Sequence, residues 1–115
     1  MKEVTQVTQS EDQLQAKIFQ WHWNNRPKER GLLFHVNNKA RNAIEGNKFK
    51  AMGVISGVSD LIYLRPGGKP LFIELKIETG TQSVQQKEWQ SRIELAGYRY
   101  VICRSLAAFI TFLPV

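Results

Sequence analysis

A chain of 115 residues has room for one domain with a single modest core and too little for two. With 43% hydrophobic and 23% charged residues it has the composition of a folded globular protein, and no run approaches the roughly 18 apolar residues of a membrane span, which excludes disordered and membrane-spanning classes. Sixteen Lys and Arg against ten Asp and Glu leave a net charge of +6, a balance that favours polyanionic partners such as nucleic acid.

Residues 1–9 are polar and β-branched and are expected to form a flexible arm ahead of a single domain over 10–115. The opening MKEVTQVTQSEDQ carries no apolar signal segment, so a cytoplasmic location is expected. SEDQ has the Ser-x-x-Gln form of a capping box and starts a helix at Ser10, which NNRP ends near Asn24. Leu14, Ile18 and Trp21 form its apolar stripe, with Glu11 on the same stripe and Phe19 and Trp23 on nearly the opposite face. His22, between the two tryptophans, reads as structural or interfacial.

GLLFHV, from Gly31 to Val36, is a short strand. The basic, glycine-containing segment from Asn37 to Gly53 reads mainly as loop. Two strands follow, about Val58–Leu64 and Leu71–Ile77, joined by a turn rich in proline and glycine. SVQQ caps a second helix over about Ser83–Ala96, with Gly97 as its stop, and Gln86, Trp89 and Ile93 share a face. Tyr98–Cys103 is another buried-looking strand, and Ser105 caps a last short helix. Cys103 is the sole cysteine, which excludes an internal disulfide and a cysteine-based zinc site. The fold class is α/β, a mixed sheet flanked by helices in the order α-β-β-β-α-β-α, with a right-handed parallel crossover from Leu71 to Cys103.

The two central strands are interrupted by Asp60, Glu74 and Lys76, although burying an unpaired charge costs about several kcal/mol. Side chains alternate along a strand, so Glu74 and Lys76 share a face with Phe72. An odd hairpin loop centred on Gly67 places Asp60 directly opposite Glu74, whereas a strict two-residue loop would pair it with Leu75 and split the cluster. The odd register is the one expected. Two converging carboxylates suit a hard cation such as Mg²⁺, and a lysine beside them can stabilise charge developing on a phosphate. The same three residues also suit a structural ion pair in which Lys76 answers both acids. Glu11 and Gln86, each near the start of a helix, can point into the same region or serve their own helix caps. Lys39, Arg41, Lys48 and Lys50 precede the charged strands and form a candidate contact for nucleic-acid phosphates, or a solvated basic loop. His35 reads as a partly exposed structural residue or a catalytic one.

These residues carry a resemblance. AMGVISGVSDLIYL resembles the glycine-rich approach and Gly-x-Pro-Asp strand of the VRR-NUC (virus-type replication–repair nuclease) domains, a branch of the PD-(D/E)xK nucleases. LFIELK is similar to their Glu-x-Lys strand, TQSVQQKEWQSRIELAGYRYVIC to the Gln-bearing helix and the strand after it, and SEDQLQ supplies the early glutamate. The likeness runs from Ser10 to Leu113, with Ser59 where the family usually has proline before the aspartate. It implies a restriction-endonuclease-like fold and a Mg²⁺-dependent DNA endonuclease, with Mn²⁺ able to substitute. Asp60, Glu74, Glu11 and the main-chain carbonyl of Leu75 would hold the metal, Lys76 would be the catalytic lysine, and Gln86 a supporting polar residue. Small stand-alone members resemble homodimeric Holliday-junction resolvases, which implies branched or four-way DNA as substrate and Phe19 and Trp23 as candidate dimer contacts. The alternatives are flaps, nicks or single strands cut beside a helicase or repair partner, or a non-catalytic DNA-binding module.

Overall fold

Ser10 opens the first helix through both halves of a capping box. Its hydroxyl accepts from the Gln13 N–H at 3.1 Å, and the Gln13 side chain accepts from the Ser10 N–H at 2.9 Å. In this computed structural model, which describes residues 9–37 and 40–114, that helix is α1, Glu11–Asn25. A 3-10 turn at Pro27–Glu29 leads to β1, Leu33–His35, and α2, Ala43–Ala51. Then come β2 (Leu61–Tyr63), β3 (Leu71–Leu75), α3 (Val84–Leu95), β4 (Arg99–Cys103) and α4 (Leu106–Thr111). The arm expected over residues 1–9 lies, apart from Gln9, outside the described residues.

The four strands lie in the order β1-β2-β3-β4, the first three antiparallel and β3 parallel to β4, with α3 as the crossover. This is the expected α/β mixed sheet flanked by helices. The structure adds α2 inside Asn37–Gly53, a segment expected mainly as loop. The end signals of α2 are nonetheless ordinary. The Asn42 side chain accepts from the Glu45 N–H at 2.8 Å, and Gly53 follows the C-terminus at φ +93°. The helix buries no side chain, and Ile44 is 83% exposed, so it has no apolar stripe for a period search to find.

One face of the sheet carries Leu61, Tyr63, Leu71, Ile73, Leu75 and Cys103, which pack with Leu14, Ile18 and Phe109 of α1 and α4 into the core. Each such aliphatic or aromatic side chain contributes about 1.5–3 kcal/mol by leaving water. The buried stripe of α1 is Leu14, Ile18 and His22, while Trp21 is half-buried beside Phe109. The other face packs against α3 through edge-to-face aromatics, with Phe72 5.3 Å from Trp89 and Trp89 6.1 Å from Tyr100. The strands are shorter than expected: β2 begins only at Leu61, since Gly57 turns the chain at φ +87° and Ser59 bends its hydroxyl back to donate to the Leu61 carbonyl. Among the described residues no helix is long and apolar enough to cross a membrane.

Candidate active site

The register of the central hairpin decides the site. Leu61 pairs with Ile73 and Tyr63 with Leu71, the odd-loop register, and its continuation sets Asp60 opposite Glu74. Asp60 Oδ2 accepts from the Leu75 N–H across the pair at 2.7 Å, and the Asp60 carbonyl accepts from Val36 N–H at 3.0 Å and lies 2.8 Å from His35 Nδ1. The ambiguous His35 therefore sits exposed on edge strand β1 and touches the Asp60 main chain. The proline position before Asp60 is filled by the fully buried Ser59, whose hydroxyl bond to Leu61 restrains the same segment.

Glu74 is 1% exposed. Its Oε2 accepts from Gln86 Nε2 at 2.7 Å and lies 4.0 Å from Lys76 Nζ, and Lys76 is itself 8% exposed. Its Oε1 is buried with no hydrogen-bond partner among the described residues. Burial, then the Asp60 charge facing it, push the Glu74 carboxyl up to about 8; Lys76 pulls the other way, and a proton shared with Asp60 and the more distant Glu11 charge add smaller pushes. Gln86 works at both ends of its amide: Oε1 accepts from the Ser83 N–H in the capping box of α3, and Nε2 holds Glu74. The helix start and the strand carboxylate are thus fixed by one side chain.

Gly57 makes this approach sterically possible. A Cβ there would lie 2.3 Å from the Gln85 carbonyl oxygen and 2.9 Å from Gln86 N, at a φ that L side chains rarely adopt. The main chain leading to Asp60 is therefore pressed directly against the first turn of α3.

A cleft of about 420 Å³ opens here, and Glu11, Asp60 and Gln86 all line it. Glu11, expected on the inward stripe of α1, is exposed at the first turn and faces this cleft. Among the described residues no three His, Cys, Asp or Glu stand close enough together to hold a metal as a set, so Glu11 borders the cleft without completing a three-acid cluster with Asp60 and Glu74. Two facing carboxylates, one carrying an orphaned buried oxygen, still fit a single hard cation whose remaining ligands are main-chain carbonyl and water oxygens.

Of the basic residues, Lys50 lines the cleft and Lys48 is exposed on the same last turn of α2. Arg41 is instead engaged by Glu45, with contacts at 2.8 and 2.9 Å, and Lys39 lies outside the described residues. Phe49, which lines the cleft between Lys48 and Lys50, has no place in the sequence reading. The available signal is an aromatic residue set between two lysines, a pattern suited to stacking on a base.

The family model for the VRR-NUC domain matches residues 3–107 of the chain. A solved structure named as a VRR_NUC domain protein is 26% identical and superposes with a TM-score of 0.72, covering 92% of this chain and 86% of that one. No curated protein matches it. A mixed sheet that gathers Asp60, Glu74, Lys76 and Gln86 at one end of its central hairpin, and a family match along nearly the whole chain, place this protein in the VRR-NUC domain family of nucleases.

Proposed function

We propose that the protein is a Mg²⁺-dependent, structure-specific DNA endonuclease, acting as a homodimeric Holliday-junction resolvase. The observation that carries the metal requirement is Glu74: a buried carboxylate facing a second carboxylate, with one oxygen that the protein leaves unsatisfied. Such a group is costly unless a cation completes it. Asp60, Glu74 and the Leu75 carbonyl would hold Mg²⁺ or Mn²⁺, with Glu11 adding negative charge at the edge of the same cleft. When bound, the ion polarises a phosphate oxygen and lowers the pKa of a coordinated water.

The chain's own residues supply the rest. Gln86 holds the Glu74 carboxylate in one orientation, and the Leu75 N–H does the same for Asp60. Lys76, its stem buried and its ammonium beside Glu74, stabilises negative charge growing on the phosphate and orients the attacking water. Lys48 and Lys50 meet the DNA backbone from α2, and Phe49 stacks on a base between them. Phe19 and Trp23 stack at 5.9 Å on the outer face of α1, with Trp23 42% exposed, and offer an apolar patch to a second copy. A two-fold dimer presents one such cleft to each of two strands of a four-way junction.

The test is cleavage of a labelled synthetic four-way junction with Mg²⁺ or EDTA, by the wild type and by Lys76→Ala. Paired symmetric nicks that require both the metal and Lys76 are expected. Binding without nicking would sink the enzymatic reading, and nicking confined to flaps or single strands would sink the junction and the symmetric dimer while keeping the active site.

A further inference from the structure

Lys76 stands just beyond β3, where a strand has ended and a lysine would ordinarily be free to swing. Its N–H donates to the Cys103 carbonyl at 3.2 Å, which ties its main chain to the end of β4. The next residue of β4's exit, Arg104, holds the other side. Arg104 Nη1 donates to the Glu78 carbonyl at 2.7 Å and to the Gly80 carbonyl at 2.8 Å, so the turn after Lys76 is wrapped around one guanidinium nitrogen. That turn is closed by Gly80 N–H donating to the Ile77 carbonyl at 2.7 Å. It also lies on the lysine itself: a Cβ at Gly80 would sit 3.6 Å from Lys76 Cδ and 3.7 Å from Lys76 Cβ. Within it Glu78 takes φ +34°, a left-handed conformation that a residue with a side chain adopts only where its surroundings enforce it.

We infer that Arg104 is a positioning residue for Lys76: its Nη1, bonded to both the Glu78 and Gly80 carbonyls, holds a turn that covers the lysine stem and keeps the ammonium beside Glu74. The inference rests on the nuclease reading of Lys76. Arg104 touches neither acid and does not line the cleft, so it acts through the turn. The two N–H groups of one guanidinium nitrogen have directions fixed by the planar group, whereas a lysine in its place keeps the charge on a shorter stem whose ammonium rotates freely.

A double-mutant cycle in single-turnover cleavage of the four-way junction tests this, with Arg104→Ala, Arg104→Lys, Lys76→Ala and Lys76→Ala/Arg104→Ala, alongside amide exchange of residues 77–80 by mass spectrometry. Arg104→Ala is expected to speed exchange across the turn and to slow cleavage about tenfold at saturating enzyme, with junction affinity and its salt slope unchanged. On the Lys76→Ala background it is expected to cost nothing further, since the lysine it positions is gone. Arg104→Lys is expected to recover only part of the rate. An additive double mutant, or a flattened salt slope restored by Arg104→Lys, would make Arg104 a phosphate contact and overturn the inference. Unchanged exchange in the turn would overturn it as well. If the wild type cut no DNA while the exchange arm behaved as expected, the nuclease reading would fail and the positioning role with it, leaving the clamp as a feature of the fold.

Discussion

Two buried carboxylates, Glu29 and Glu74, are handled in opposite ways. Glu29 closes the 3-10 turn that follows α1; its Oε1 accepts from the Tyr63 hydroxyl at 2.5 Å and lies 3.0 Å from His22 Nε2, while Arg26 reaches Oε2 at 3.5 Å. Burial raises its pKa, but the bonds from Tyr63 and His22 and the nearby positive charge outweigh that and leave it below the usual carboxylate range. The same contact sets Tyr63 well above its ordinary value, burial being the larger cause. Arg26 also donates to the Pro114 carbonyl at 3.2 Å, so the cluster ties the end of α1 to the end of the chain. Glu74, on the opposite face and near the other end of the central hairpin, has one amide donor, one ammonium at the limit of reach, a second carboxylate opposite and an unsatisfied oxygen. The first cluster is complete in itself. The second leaves one carboxylate oxygen without a partner among the described residues, the position the proposed cation would fill.

The contrast can be broken first at the active site. Glu74→Gln is expected to lower the nicking rate by about 10³-fold, the scale of removing one preorganised electrostatic group, while raising the metal-free melting temperature at pH 8, measured by calorimetry. A destabilised variant would show that Glu74 is satisfied after all. Glu29→Ala should do the reverse: a loss of about 3 kcal/mol in urea unfolding, from stranding His22 and Arg26 beside an emptied site, with cleavage per folded molecule unchanged. Gly57→Ala should fall between them, costing about 1–3 kcal/mol through its left-handed backbone and slowing cleavage about tenfold by displacing the Gln86 end of α3.

The pH dependence sharpens the same comparison. Glu74 has a folded pKa raised to about 8, so the folded chain binds its proton more tightly than the unfolded one. In EDTA its share of stability is therefore largest below the ordinary carboxylate range and is lost as pH rises towards 8. Glu29, with a lowered folded pKa, contributes stability that is present above the ordinary range and is lost as pH falls through the folded value. Melting temperatures from pH 3 to 9 should show an acid loss removed by Glu29→Ala and an alkaline loss removed by Glu74→Gln, and Mg²⁺ should reverse the second alone. The smallest effect is expected outside both clusters. Neutralising Lys48 and Lys50 together should flatten the log–log salt dependence of junction binding by up to about 1.8, at roughly 0.9 per phosphate contact, without moving the melting temperature; an unchanged slope would remove α2 from the DNA interface.

The local features of this protein were readable in its residues. Ser10, Ser83 and Ser105 cap the helices expected of them, the first two through full capping boxes, because an N-cap is a short-range hydrogen-bond pattern written in neighbouring positions. The odd loop around Gly67 likewise brought Asp60 to face Glu74, since hairpin register follows from loop parity. The helix α2 escapes the sequence pattern because it spends no side chain on the core, and apolar periodicity reports burial, not helicity. The buried role of His22 is not legible locally, because its partners Glu29 and Tyr63 are brought to it only by the 3-10 turn and the sheet. The clamp of Arg104 on the turn after Lys76 joins residues 24 and 26 positions apart. The sequence by itself determined the caps, the strand parity and the acids that share a face. Tertiary structure alone decided which buried carboxylate is satisfied and which is left open, because that depends on partners delivered from distant elements, to which no local spacing is sensitive.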